Sequence, residues 1–301
     1  MVSISVVMPT FNTTAAVLQE AVESILSQTF RDFEFIIIDD GSTDDSYDYL
    51  RGVHDERIKL IRNPYNLGIT KSLNIGLSLS SGKYIARMDS DDIALPYRLE
   101  KQFAFMESHP DVIACGSNAE VFGEDSFTTH ISITDMEVYR ISLVFSNPGP
   151  IHPTAFLRRD LLLQYGIEYD EALIHSQDYG LWVELSRHGK MYILEEALIK
   201  RRIHPHQVTK TRRKVQIQCD QITQERLLKE LLGNVTNEEL ALHYKYSTGY
   251  YKDITINTEV LDWYKRLVKA NDRVGVYDKK KFREYVYNTV LKHIILVVVY
   301  K

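Results

Sequence analysis

Phe33-Glu34-Phe35-Ile36-Ile37-Ile38-Asp39-Asp40-Gly41-Ser42 decides how this chain folds. A short apolar run rich in Ile and Phe ends abruptly in an acidic turn, which reads as a buried strand. Upstream, Ile4-Ser5-Val6-Val7-Met8 is a similar run closed by Pro9 and Asn12. Between the two, Leu18, Val22, Ile25 and Leu26 recur at helical spacing within residues 14–28. Ser42 stands where it can cap a helix after the second strand, with Asp44 and Asp45 favoured by the dipole in its first turn. The alternation continues downstream, with strands expected over residues 57–62, 84–88 and 111–121. Ile69, Leu73, Gly76, Leu77 and Ser80 mark one intervening helix, stopped by Ser81-Gly82. Leu99, Phe103 and Met106 mark the next, between Pro96 and Pro110.

Strands alternating with helices at this interval imply right-handed crossovers, hence an α/β fold whose mostly parallel sheet is flanked by helices. Ligands of such sheets sit at the carboxyl ends of the strands. Asp39-Asp40 and Asp89-Ser90-Asp91-Asp92 both follow expected strands, so the two acidic clusters open onto one edge. Beyond Ser146-Asn147-Pro148-Gly149-Pro150 the pattern loosens, with helices expected over residues 159–164 and 178–187. From about Thr211 the chain reads all-helical. Leu227, Leu228 and Leu231 end one helix at Gly233-Asn234, and Thr236 with Glu239 forms a capping box for the next. Val260, Leu261, Tyr264, Leu267 and Val268 mark a third, and Asp278 opens the last.

Composition narrows the function classes. With 44% hydrophobic and 26% charged residues among 301, the chain is globular rather than disordered. Thirty-six Lys+Arg against 41 Asp+Glu leave a net charge of −5, which excludes a generic nucleic-acid binder. Two distant cysteines, Cys115 and Cys219, exclude a disulfide scaffold and a Cys-based zinc site and suit a reducing compartment. The longest apolar run, Ile294 to Tyr300, has seven residues, against the ~20 of a membrane-spanning helix. Met1-Val2-Ser3-Ile4 runs straight into a strand without a basic leader, so a cytoplasmic protein is expected.

The acidic clusters stand without a phosphate loop. Pro9-Thr10-Phe11-Asn12 occupies the turn where a dinucleotide enzyme carries Gly-x-Gly-x-x-Gly, and no Walker motif appears. A Gly-rich loop after the first strand, which sugar-phosphate nucleotidyltransferases need, is missing too. What remains is carboxylate chemistry. Asp89 and Asp91, two apart in a non-helical segment, can converge on one hard cation that prefers oxygen ligands and leaves positions for phosphate oxygens. Asp40, one strand over, can accept hydrogen bonds from a base or ribose.

Three ordered stretches carry a family resemblance: Val6-Val7-Met8-Pro9-Thr10-Phe11-Asn12, Ser24-Ile25-Leu26-Ser27-Gln28-Thr29-Phe30 and Ile38-Asp39-Asp40-Gly41-Ser42-Thr43-Asp44. Asn66-Leu67-Gly68, Asn74, Gly82-Lys83-Tyr84-Ile85-Ala86 and Asp89-Ser90-Asp91-Asp92 continue it. The chain resembles the family 2 inverting glycosyltransferases of the GT-A fold, densely over about residues 1–115 and in islands to about 208. The resemblance implies a Rossmann-like GT-A catalytic domain over residues 1–208, its nucleotide-sugar half at about 1–115 and its acceptor half at about 116–208. Residues 209–301 form a helical extension. It further implies that Pro9, Phe11, Asp39 and Asp40 line the base pocket, with Asp40 preferred over Asp39 for the contact. Asn66, Lys71, Asp89 and Ser90 join the donor-binding set, although Lys71 equally suits a solvated helix face. Asp91, with Asp89, would ligate Mn²⁺ or Mg²⁺ bridging the diphosphate of a donor sugar, which the resemblance implies is UDP-linked. Arg202-Ile203-His204 matches a segment that closes over the diphosphate. His204 is a further metal candidate, and His-Pro-His equally suits a surface loop.

In the family's second acidic motif, Glu-Asp precedes an aromatic and a Leu-Trp pair. Here Ser176-Gln177-Asp178-Tyr179-Gly180-Leu181-Trp182 keeps the Asp and replaces the Glu by Gln, so Asp178 is the expected catalytic base. The implied reaction is metal-dependent and inverting, from a nucleotide-diphosphate sugar to a hydroxyl of a glycan or lipid-linked acceptor in surface polysaccharide synthesis. A non-catalytic sugar-nucleotide binding protein and a nucleotidyltransferase are the rival readings. His152, in Ile151-His152-Pro153-Thr154, reads best as a loop histidine bonded to backbone. The last helix repeats Phe282, Val286, Val290, Ile294 and Val297 beside Lys279, Lys280, Lys281, Arg283, Lys292 and Lys301. That pattern fits peripheral contact with the inner face of the plasma membrane, or packing on the rest of the chain or on a second copy in a homo-oligomer.

Overall fold

The computed structural model describes residues 2–205, 211–247 and 257–299, with side chains to residue 291. Two compact units emerge: residues 1–133 with 149–216, and residues 134–148 with 217–301.

The first unit is built on one mixed sheet. β1 (Ile4–Thr10) pairs in parallel with β2 (Phe33–Asp39) and with β4 (Tyr84–Arg87), and β2 with β3 (Ile58–Arg62). Every residue of β1 and β2 is buried, as expected of parallel strands covered on both faces. α1 (Ala15–Leu26) buries Leu18, Ala21, Val22 and Ile25, the spacing of a single helix face. α2 (Ser46–Gly52) begins later than expected. Ser42 does not cap it, because its Oγ accepts from the Asn12 N–H at 3.0 Å, and Asp44 Oδ1 receives the Ser46 N–H at 3.0 Å instead. α3 (Ile69–Leu79) lies tight on the sheet, since a Cβ at Gly76 would stand 2.3 Å from Val7 Cγ1.

Beyond β4 the parallel run ends. β5 (Ile93–Ala94) is followed by α4 (Arg98–Ser108) and the long β6 (Val112–Gly123), against which the short β7 (Phe127–Thr128) folds. β8 (Phe156–Arg158) enters antiparallel between β4 and β6. It arrives from a 3-10 turn at His152–Thr154 rather than through a crossover helix, which frees it to run either way. α6 (Arg159–Tyr165) and α7 (Gln177–His188) match the expected helices. β9 (Lys190–Ile203), unforeseen from sequence, pairs in parallel with β6 and antiparallel with β5. The strand order is β3-β2-β1-β4-β8-β6-β9-β5.

The second unit gathers α5 (Met136–Ser142), most of α8 (Arg213–Leu232), α9 (Asn237–Ser247), α10 (Thr258–Val274) and α11 (Lys279–Val299) around Trp263, Tyr264, Leu267, Leu228 and Leu231. The expected capping box is present: Glu239 Oε2 receives the Thr236 N–H at 2.9 Å and Thr236 Oγ1 receives the Glu239 N–H at 3.3 Å. Phe282 and Val286 of the last helix are buried in this core, with Val290 packed against it. Lys281 pairs with Asp135 at 2.6 Å and Arg283 with Asp272 at 2.8 Å. The first half of the amphipathic stripe is thus spent inside the unit, and the side chains of Lys292, Ile294, Val297 and Lys301 lie outside the described residues. Among the described residues, no helix is long and apolar enough to cross a membrane.

Candidate active site

β1 and β2 end in register, Thr10 beside Asp39, and the ladder runs one step further where the Asp40 N–H donates to the Thr10 carbonyl at 2.8 Å. Asp39 and Asp40 are therefore buried at the strand ends rather than solvated. Asp40 is held from both sides. Its Oδ1 accepts from Asn63 Nδ2 at 2.7 Å and from the Leu67 N–H at 2.9 Å, and its Oδ2 accepts from the Gly68 N–H at 2.8 Å. Asp39 Oδ1 accepts from the Ser42 N–H at 3.3 Å. Its Oδ2 has Arg62 Nε 3.3 Å away, an ion pair without hydrogen-bond geometry. Next to this turn, Pro9 is buried in β1, Phe11 is 44% exposed and Asn66 is exposed. Asn12 adopts φ 51°, and its Oδ1 accepts from the Thr43 N–H at 2.8 Å, which ties the two turns together. Lys71 faces Glu171 at 3.8 Å with both groups half exposed, a surface pair worth ~0–1 kcal/mol.

The second cluster follows β4. Carboxylate oxygens of Asp89, Asp91 and Asp92 all lie within 4.8 Å of one another. Arg87, the last residue of β4, is buried, and its Nη2 meets Asp89 Oδ1 at 2.5 Å. Burial alone would lower the Arg87 pKa, and Asp89 beside it more than offsets this. Asp91 Oδ2 meets His204 Nε2 at 3.1 Å. Asp92 Oδ1 accepts from the Arg202 N–H at 2.8 Å, while its buried Oδ2 has no hydrogen-bond partner among the described residues. Burial and then the Asp89 charge push the Asp91 carboxyl up, with His204 opposing. Burial, Asp89 and Asp91 push Asp92 up further. Three carboxylates this close repel one another, and a bound cation would relieve that repulsion. Ser90 Oγ shares a hydrogen bond of 2.8 Å with Thr13.

β9 brings the far side of the site. Ile93 pairs with Lys200 and Ala94 with Ile199, so the strand's end is delivered to the residues following Asp92. Arg202 Nε donates to the Asp91 carbonyl at 2.9 Å, and its guanidinium also pairs with Glu20 of α1. His204 therefore stands at the acidic turn and not in a detached loop. Asp178 lies in the first turn of α7, where the helix dipole favours an anion. The Gln177 Oε1 beside it is buried without a hydrogen-bond partner among the described residues. The His152 ring has no backbone partner among the described residues. Its Nε2 meets the Tyr169 hydroxyl at 2.8 Å, and its ring stands edge-on to Trp182 at 6.0 Å.

The structure brings together Asp89, Asp91 and His204, all named from sequence, with Asp92, read from sequence as part of the acidic cluster but not as a ligand, and with Arg87, which sequence did not point to. Adjacency to Asp91 was the available signal for Asp92. For Arg87 there was none, because only the fold shows that it is buried against Asp89. The donor set, three carboxylates and an imidazole around an unpartnered buried oxygen, suits a divalent ion such as Mn²⁺ or Mg²⁺.

Residues 5–166 match the family model described as glycosyl transferase family 2. The chain belongs to that family. An uncharacterized glycosyltransferase of Haemophilus influenzae is 36% identical over 208 residues, spanning 64% of this chain and 63% of that one. This glycosyltransferase family member therefore covers somewhat less than two thirds of that relative. The UDP-Glc:alpha-D-GlcNAc-diphosphoundecaprenol beta-1,3-glucosyltransferase WfaP of Escherichia coli is 31% identical over 176 residues, 56% of this chain and 64% of that one. Among solved structures, S. aureus TarS 1–349 in complex with UDP-GlcNAc superposes with a TM-score of 0.64 at 17% identity, over 98% of this chain and 89% of that one. That likeness establishes the GT-A type fold for the family 2 chain.

Proposed function

We propose that this chain moves a sugar, with inversion, from a nucleoside-diphosphate donor, UDP-linked, to a hydroxyl of a glycan or lipid-linked acceptor in surface polysaccharide synthesis. The observation that carries the reading is the convergence of Asp89, Asp91 and Asp92 within 4.8 Å at the sheet edge where Asp39 and Asp40 also end their strand. WfaP supports the donor and acceptor classes, and TarS, bound to UDP-GlcNAc on the same fold, supports the nucleotide.

Asp91, with Asp89, Asp92 and His204 around it, would hold Mn²⁺ or Mg²⁺, which supplies Lewis-acid stabilisation of the diphosphate leaving group. Arg87, paired with Asp89, fixes where that carboxylate stands. Pro9, Phe11 and the Asp39-Asp40 turn receive the base, with Asn66 and Ser90 at the margins of the donor. Asp178 takes the proton of the acceptor hydroxyl as it attacks, since a hydroxyl is a poor nucleophile until a carboxylate within hydrogen-bond reach removes its proton. One displacement from the face opposite the leaving group inverts the anomeric carbon and needs no protein nucleophile.

The test uses the full chain with Mn²⁺ and a panel of UDP-sugars. Acceptor-stimulated UDP release is expected, reduced about 10²- to 10⁴-fold in Asp178→Asn, with UDP affinity within a few-fold of the parent. Chelation should abolish the release and added Mn²⁺ should restore it. Pyrophosphate release would point instead to a nucleotidyltransferase, and tight UDP binding without turnover to a binding protein.

A further inference from the structure

Asn74 of α3 and Tyr169 grip each other twice. Asn74 Nδ2 donates to the Tyr169 carbonyl at 2.9 Å, and the Tyr169 N–H donates to Asn74 Oδ1 at 2.9 Å. The amide side chain thereby acts as a strand partner for one residue of the loop after α6. One turn earlier on the same face of α3, Thr70 Oγ1 donates to the Leu173 carbonyl at 3.5 Å. Asp170 folds the loop between these two ties, its carbonyl accepting from the Leu173 N–H and its Oδ1 from the Ala172 N–H.

The far side of the loop carries α7. A Cβ at Gly180 would stand 2.5 Å from Leu173 Cδ1, so the helix rests directly on that leucine. The Tyr169 hydroxyl reaches His152 Nε2 at 2.8 Å, and His152 meets the indole of Trp182 at 6.0 Å and 82°. Trp182 is one helical turn beyond Asp178, on the same face of α7. Tyr169, His152 and Trp182 are all buried. Gly68, which immediately precedes α3, gives its N–H to Asp40. A bridge of the half-buried Asn74 and the buried Tyr169, His152 and Trp182 therefore joins the helix behind the Asp40 turn to the helix that carries Asp178.

We propose that Tyr169, locked by Asn74 and bonded to His152, is the positioning residue that sets where Asp178 stands relative to the donor. The proposal rests on Asp178 being the base. Burial drives the His152 pKa well below its ordinary value, with the Arg87 charge adding, which favours the neutral ring in its hydrogen bond with the Tyr169 hydroxyl. Burial pushes the Tyr169 phenol up; Arg87 opposes, and Asp178 and Asp89 add, which places both carboxylates within Coulombic reach of it.

The test compares Asn74→Ala, Asn74→Asp, Tyr169→Phe, Asp178→Asn and the Tyr169→Phe/Asp178→Asn pair in the full chain. UDP release from UDP-glucose or UDP-GlcNAc with Mn²⁺, UDP affinity by calorimetry and amide exchange over residues 177–181 are the readouts. A lost alignment costs turnover without donor binding, so Asn74→Ala and Tyr169→Phe should lower kcat on the order of 10- to 100-fold and leave the UDP Kd within about two-fold. Asn74→Asp, which keeps the acceptor for the Tyr169 N–H, should recover part of the loss. Tyr169→Phe should add nothing to Asp178→Asn, because both act through one carboxylate. Exchange over residues 177–181 should quicken in both positioning variants, whether or not either sugar nucleotide turns over. Unchanged exchange there overturns the proposal, as does parental kcat in folded Tyr169→Phe beside an inactive Asp178→Asn. Parental turnover in Asp178→Asn overturns the base assignment and this proposal with it. If Asn74→Ala does not fold, Tyr169→Phe carries the test, since it keeps the ring and both main-chain bonds.

Discussion

Gly41 meets two constraints at one atom. Its φ of +74° lies where L side chains are strained, and a Cβ there would stand 2.6 Å from the Tyr65 carbonyl carbon. Neither neighbour is a flexible side chain that can swing away, because the contacts are with the backbone of Tyr65 and Asn66. Gly41→Ala should cost about 1–3 kcal/mol in urea unfolding and weaken UDP binding by displacing the loop that feeds Asp40. Retention of parental stability and affinity would show that the loop yields. The same residues show what was legible at this scale. Asp39, Asp40, Asp89 and Asp91 announced themselves by falling after apolar runs. Asp40's three N–H donors did not, since they come from Asn63, Leu67 and Gly68, more than twenty residues on. A carboxylate's chemistry is local, but what holds it is not.

Glu34, the second residue of the deciding strand, binds elements together. Its Oε1 accepts from Ser5 Oγ of β1 at 2.5 Å and from the N–H and Oγ of Ser81 at 2.7 and 2.8 Å, and Lys59 of β3 reaches Oε2 at 2.5 Å. Burial raises its pKa, yet the bonds from Lys59, Ser5 and Ser81 outweigh this and bring it from 4.5 down to about 2. A depressed carboxylate stabilises the fold above its unfolded pKa and loses that contribution as pH falls from about 4.5 towards 2. Glu34→Gln should therefore destabilise by about 1–3 kcal/mol at pH 7, and the gap to the parent should close between pH 4.5 and 2 in thermal melts. A gap that persists at the acid end would assign the effect to packing. At this scale the parallel strands and their helices were legible, because each shows a single unbroken period. β9 was not. Its register against β6 shifts near Ser117 and Asn118, and its burial pattern has no constant phase. The irregularity is held by Asn118, whose Nδ2 donates to the Glu195 carbonyl at 3.1 Å and whose Oδ1 accepts from the Ile131 N–H at 2.7 Å. One asparagine's contacts across the sheet cannot be read from spacing.

Over the whole molecule, the net charge of −5 averages unlike parts. Six Lys/Arg against Glu284 alone occupy residues 279–301, a surplus of five, so the other 278 residues carry −10. Part of that acidity is the cluster at residues 89–92, completed only when Ile93 and Ala94 pair with Ile199 and Lys200. The pairing closes a loop of more than a hundred residues, and such a closure pays its entropy before any contact rewards it. β1, β2 and β3 pair with neighbours much nearer along the chain. Refolding should therefore regain most of its far-UV signal before it regains affinity for Mn²⁺, and simultaneous recovery of the two would count against that order. On the proposed function, the acidic turn then marks the completion of folding as well as a place for chemistry: a chain arrested halfway would have its parallel strands but not the strand end that brings His204 to Asp91.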